Sequence, residues 1–200
     1  MLETEKSNPL RVGFFGGTFD PPHNGHVAIA NQAIDKAGLD LLVFCPAYHA
    51  PLRDKQPILS GKIRLKMLKL ITDQNDKMEI SDFEIRQNKI CYTYETLLEI
   101  KSKFNSDKLM VILGSDQFHK LSDWKFNQEL AQISHFLVFT RDTHNVSPPS
   151  IPNLSYQLMK NDLIHCSSTE IRNRMQKKRS VENMVPSSIL STLEEAFYNN

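Results

Sequence analysis

The stretch from Val12 to His26 constrains this chain more than any other. Val12, Phe14 and Phe15 supply an apolar strand, and Gly16 and Gly17 follow it. Neither glycine carries a Cβ, so the backbone can turn sharply there and approach a ligand closely. Pro21 and Pro22 cannot join a ladder and hold the chain extended. Asn24 is the expected N-cap of an amphipathic helix running through Ala37, with Gly38 as its stop. His23 and His26 share one side of that helix start. A helix N-terminus favours anions through its free N–H groups and dipole, so the expected chemistry is a phosphate clamp.

The rest of the chain alternates strands and helices. Leu41 to Cys45 and Leu109 to Leu113 are continuous apolar runs, the pattern of strands buried on both faces of a parallel sheet. Further strands are expected over Met78 to Ile85, Phe136 to Phe139 and Leu163 to His165. Ser60 and Thr93 are expected helix caps, and Ile63, Met67, Leu70 and Ile71 follow helical spacing. Lys62, Lys66 and Lys69 read as a solvated helix face. A short helix is expected around Trp124. Asp142 to Pro152 reads as an exposed loop, and Pro186 precedes a final helix. Ser167 to Glu170 has the form of a capping box. This order predicts an α/β fold: a doubly wound, mostly parallel Rossmann-like sheet with helices on both faces and a small C-terminal helical part. Residues 9–200 are expected to form one domain, with 1–8 as a flexible extension. In such sheets ligands sit at the carboxyl ends of the strands.

Composition narrows the function. At 200 residues the chain can bury one good core and is short for two. A net charge of +1 argues against binding nucleic acid by general basicity. The polar start lacks the apolar segment of a signal peptide, and no run reaches the roughly 18 apolar residues of a membrane span. Cys45, Cys91 and Cys166 are scattered and odd in number, which fits reduced thiols and a cytoplasmic location. No spacing typical of a protein-bound metal is present. The glycines match neither the dinucleotide fingerprint nor the P-loop, so neither a dehydrogenase nor a Walker-type kinase is supported.

Gly16 to His26 resembles the G-G-T-F-D-P-x-H-x-G-H signature of the nucleotidyltransferase superfamily, and Ser167-Ser168-Thr169-Glu170-Ile171-Arg172 resembles its second signature. Tyr92 to Leu97, Gly114-Ser115-Asp116, Leu121 to Trp124 and Met184-Val185-Pro186 look like bacterial nicotinate-nucleotide adenylyltransferases. The resemblance implies adenylyl transfer from ATP to nicotinate mononucleotide in NAD biosynthesis, with deamido-NAD and pyrophosphate as products. It implies catalytic roles for His23, His26 and Arg172. The ATP site would comprise Gly16, Gly17, Thr18, Phe19, His23, His26, Gly114, Asp116, Ser168, Thr169 and Arg172. The acceptor site would comprise Thr93, Trp124 and Arg141, and Mg²⁺ would be carried by ATP.

The chain departs from the family pattern in two loops. Relatives usually carry P-P-H-[K/R] after the second strand, where Ala50-Pro51-Leu52-Arg53 stands here. Arg53, Lys55 or His49 are the candidates to replace the missing histidine. Arg141-Asp142-Thr143 stands in place of R-P-G. Left open are the same chemistry on nicotinamide mononucleotide or phosphopantetheine, a non-catalytic nucleotide-binding regulator, and assembly as a homo-oligomer.

Overall fold

The computed structural model describes residues 10–52, 55–104, 106, 109–140, 146–160 and 166–198. Among these, six strands form one parallel sheet: β1 (Val12–Gly17), β2 (Leu41–Pro46), β3 (Met78–Ile80), β4 (Leu109–Gly114), β5 (Ser134–Thr140) and β6 (Tyr156–Lys160). Their spatial order is β3-β2-β1-β4-β5-β6, and every neighbouring pair is parallel. Successive side chains of a strand point to opposite faces, so a sheet covered on both sides needs apolar residues at every position. Val12 and Phe14 of β1 and Phe136 and Val138 of β5 enter one core; Phe15, Leu137 and Phe139 enter the other. The uninterrupted apolar runs of the sequence follow from this.

The helices are α1 (Asn24–Ala37), α2 (Gly61–Thr72), α3 (Phe83–Gln87), α4 (Thr93–Phe104), α5 (Ser115–His119), α6 (Asn127–Ile133), α7 (Ser168–Gln176) and α8 (Ser187–Tyr198), with a 3-10 turn over Leu121–Asp123. α1 covers one face through Ala30, Ala33 and Ile34; α4, α5 and α6 cover the other through Leu97, Ile100, Phe118 and Leu130. α7 and α8 add a third core with α2, in which Met67 and Ile71 meet Ile171, Met175, Ile189 and Leu193. This is the C-terminal helical part. Gly38 ends α1 in the left-handed conformation at φ 60°, its N–H donating to the Ile34 carbonyl.

Three local expectations need revision, and one strand is new. Only Met78–Ile80 pairs with β2; the chain then turns, and Phe83–Gln87 is helical. Ser81 donates the last bond to the Phe44 carbonyl, and the Asp82 carbonyl accepts from Arg86 N–H to close a helical turn. Asn24 is the first residue of α1, with His23 in the cap position. Thr93 likewise opens α4 rather than capping it: the Tyr92 carbonyl accepts from Glu95 and Thr96, and Tyr92 N–H donates to the Glu95 carboxylate. The sixth strand is Tyr156–Lys160, half exposed at the sheet edge and unannounced by its pattern. Leu163 to His165 and residues 1–8 lie outside the described residues. No helix among the described residues is long and apolar enough to cross a membrane.

Candidate active site

β1 lies between β2 and β4, so the strand order reverses at the carboxyl ends of β1 and β4, which are Gly17 and Gly114. That is where a sheet of this kind leaves a crevice. The turn leaving β1 is tightly packed. A Cβ on Gly16 would come within 2.7 Å of the Phe14 ring, and one on Gly17 within 3.0 Å of the Phe19 ring. Phe19 has φ 49°, a left-handed conformation that costs a bulky residue roughly 1–2 kcal/mol. Its buried ring offsets this, lying edge-on to Phe15 and Phe44, each at 5.5 Å, and to the His26 imidazole at 4.9 Å. The next peptide, Asp20–Pro21, is cis.

The two histidines come together as expected, and more closely than helical spacing requires. Their rings stack with centroids 3.6 Å apart. His23 N–H donates to His26 Nδ1 at 3.1 Å. Burial holds the His23 imidazole down to about 4. Burial, reinforced by the neighbouring His23, keeps His26 well below its ordinary value. Both rings are therefore neutral at pH 7. With its Nδ1 accepting a hydrogen bond, a neutral His26 carries its proton on Nε2.

The N-terminus of α1 is not itself an open anion site. Asn24 N–H donates to the Met184 carbonyl at 2.9 Å, and Asn24 Nδ2 to the Asn183 carbonyl. The chain before α8 thus occupies the first N–H of this helix, and those of Gly25 and His26 meet the Cys166 sulfur and the His23 carbonyl. Open N–H groups lie instead at α7. Ser167 Oγ caps that helix by accepting from Glu170 N–H, leaving the first-turn N–H groups of Ser168 and Thr169 without an intrahelical partner.

Direct bonds join the two signatures. Ser168 Oγ donates to the Pro21 carbonyl at 2.9 Å, across 147 positions of sequence. Arg172 Nη1 donates to the Asp20 carbonyl at 2.7 Å and lies 3.6 Å from the Asp20 carboxylate; Nη2 reaches Thr169 Oγ1 at 3.2 Å. Asp20 is only 5 % exposed, and its carboxylate also accepts from the N–H groups of Ile58 and Leu59 at 2.9 and 2.8 Å.

Arg64, absent from the sequence-derived site, is the buried centre of this arrangement at 2 % exposure. It donates to the carbonyls of Leu59 at 3.1 Å, Thr18 at 2.8 Å and Ala47 at 2.7 Å, tying α2 to the loops leaving β1 and β2. Burial lowers its pKa, while Asp20 and Glu84 pull it back. Its spacing offered a signal: Arg64 shares a helical stripe with buried Met67, Leu68 and Ile71.

The other expected residues divide. Gly114 closes β4, and Asp116 is exposed in the first turn of α5, where it accepts from Gln117 Nε2. Thr93 is half-buried at the start of α4. Trp124 leans against the core under α4 and α6, its Nε1 buried without a hydrogen-bond partner. Arg141 lies outside the described residues, as does Arg53. In the loop after β2, Leu52 is 56 % exposed and Lys55 is exposed, whereas His49 is 8 % exposed with an unpartnered Nδ1. His49 is thus the inward-facing candidate for the missing histidine.

Comparison with known proteins agrees with this geometry. The cytidylyltransferase-like family model matches residues 14–174. The nicotinate-nucleotide adenylyltransferase of Bacillus subtilis is 32 % identical over 187 residues, covering 92 % of this chain and 96 % of that one. A probable nicotinate-nucleotide adenylyltransferase of Hydrogenobaculum is 33 % identical over 190 residues, covering 94 % and 98 %. The fold is shared with the Plasmodium falciparum nicotinic acid mononucleotide adenylyltransferase complexed with NaAD, at a TM-score of 0.74 and 16 % identity over 96 % of this chain and 98 % of that one. Both signatures, the sheet order and these relatives place the chain in the cytidylyltransferase-like family, among its nicotinate-nucleotide adenylyltransferases.

Proposed function

We propose that this enzyme transfers the adenylyl group of ATP to nicotinate mononucleotide, releasing pyrophosphate and forming deamido-NAD. The observation that carries the reading is the lock between the two signatures, in which Arg172 and Ser168 grip the carbonyls of Asp20 and Pro21. It puts the α7 N-terminus beside the histidine pair, so that one triphosphate can meet both.

In the reaction the acceptor phosphate attacks the α-phosphorus in line with the departing pyrophosphate. The protein need supply no nucleophile; it positions both reactants and stabilises charge developing on the transferring group. The turn from Gly16 to Phe19 would seat the α-phosphate. His26, held neutral with its proton on Nε2, would donate to the oxygens that gain charge, with His23 stacked beside it. The N–H groups of Ser168 and Thr169, with the remaining donors of Arg172, suit the β- and γ-phosphates. The Ser168 hydroxyl is already committed to Pro21, so its contribution is through the backbone. Gly114 and Asp116, at the other side of the switch point, suit the adenosine.

On the acceptor side, the α4 N-terminus at Thr93 would meet the nicotinate carboxylate and Trp124 would stack on the pyridine ring. Arg141 is the proposed partner of the acceptor phosphate. Mg²⁺ would enter on the triphosphate, where it supplies charge neutralisation. The Asp20 carboxylate, already engaged by the N–H groups of Ile58 and Leu59, supports a metal carried by the nucleotide.

Pyrophosphate release measured with ATP and a panel of acceptors tests this reading. Nicotinate mononucleotide is expected to give the highest kcat/KM, ahead of nicotinamide mononucleotide and phosphopantetheine. No release with any mononucleotide would instead favour a binding-only protein.

A further inference from the structure

One buried ionisable side chain has no part in the chemistry above. Glu84, in the first turn of α3, is 6 % exposed. Its carboxylate accepts a hydrogen bond at 2.9 Å from the hydroxyl of Thr96, a fully buried residue one turn into α4. The Cys45 thiol, near the end of β2, lies 4.0 Å from the same oxygen, and the backbone N–H of Tyr48 bonds to the carboxylate from the loop beyond. Desolvation pushes the group up to about 7, against the pull of Thr96, Tyr48 and the Arg64 guanidinium, with Glu95 adding to the rise. Such a burial is costly unless the carboxylate is fully engaged.

Three elements therefore meet on one carboxylate. α4 presents Thr93 on the acceptor side. The loop leaving β2 carries Ala47, whose carbonyl shares the Arg64 guanidinium with the Thr18 carbonyl of the triphosphate turn. We propose that Glu84 is a positioning residue: by clamping the first turns of α4 to the loop leaving β2, it fixes the span between the acceptor and ATP half-sites. The inference rests on the two-site reading given above. In-line attack depends steeply on that span, since a displacement of about 1 Å can cost roughly a hundredfold in rate. Each half-site keeps its own contacts when the clamp is lost, so the defect falls on kcat.

The test combines steady-state kinetics with backbone amide exchange on the whole chain. Glu84→Ala is expected to lower kcat by about ten- to a hundredfold with both KM values within about threefold of the parent. Glu84→Gln keeps an acceptor oxygen for Thr96 and Tyr48 and is expected to restore most of kcat. Amides of residues 95–98 should exchange about tenfold faster in Glu84→Ala and at the parental rate in Glu84→Gln. Thr96→Val removes the same bond from the other side, is expected to lower kcat in the same way, and carries the test should Glu84→Ala not fold. Unchanged kcat in these variants, or a Gln variant no better than Ala, would overturn the proposal. Should the parent chain turn over no acceptor, the two-site reading fails, and the exchange rates still decide whether Glu84 clamps α4.

Discussion

Replacing His26 by alanine separates the chemical role of this side chain from its structural one. The imidazole accepts the His23 N–H at Nδ1, which leaves the proton on Nε2, and burial keeps the ring neutral. A preorganised neutral donor aimed at developing charge in a water-poor site is worth about 2.7–4 kcal/mol, so kcat is expected to fall roughly 10²- to 10³-fold. The structural loss is smaller. One cap-like hydrogen bond, worth about 1 kcal/mol, and the edge contact with Phe19 at 4.9 Å, worth about 0.5–1.5 kcal/mol, disappear. For a chain of this size that lowers Tm by roughly 4–8 °C. His26→Gln should recover the stability, because glutamine at this position can still accept the His23 N–H, but not the turnover. Turnover by pyrophosphate release and melting by circular dichroism on the same preparations give the two quantities. Alanine-variant turnover within about threefold of the parent would refute the donor assignment.

Arg64→Lys should lower Tm by roughly 6–12 °C, because a point ammonium cannot hold the carbonyls of Leu59, Thr18 and Ala47 together and leaves buried acceptors unmet at about 3 kcal/mol; an unchanged melt would contradict the latch. Trp124→Ala should raise the acceptor KM more than the ATP KM, and equal effects would remove Trp124 from the acceptor site. Stability should also fall on acidification. Unfolded histidine titrates near 6.5, whereas folded His23 resists protonation down to about 4, so in that window the unfolded state binds more protons and about 3 kcal/mol of stability present above pH 6.5 is lost by pH 4. Glu84 acts oppositely, contributing stability below about 4.5 that is lost as pH rises through about 7, so the histidine effect is read as the difference between the parent and His23→Gln in denaturant melts across pH. Parallel curves would show that His23 titrates normally.

The strands of the sheet were legible because both its faces are buried: runs such as Leu109 to Leu113 have no polar position to blur them. β6 escaped because an edge strand with one neighbour keeps only Met159 fully buried. Phe83 and Ile85 alternate as a strand would, but Ser81 and Asp82 start a helix at that point. The site was legible where a motif is local, as in the histidine pair. It was illegible where tertiary packing assigns the role. Arg64 was hidden among three exposed lysines on the same helix, and Glu84 lay inside a segment whose pattern reads as a strand. The α1 N-terminus looked open until Met184 was found covering it. Side chains that hold loop to loop have no fixed spacing in sequence.

The central claim is that the acceptor phosphate attacks the α-phosphorus of ATP, so that the adenylyl group is transferred and pyrophosphate leaves. Isotope-labelled ATP tests it most directly. With nicotinate mononucleotide present, label at the α-phosphorus is expected wholly in the dinucleotide product, and label at the γ-phosphorus wholly in pyrophosphate. Transfer of γ-label to the acceptor would mean phosphoryl rather than adenylyl transfer and would contradict the account.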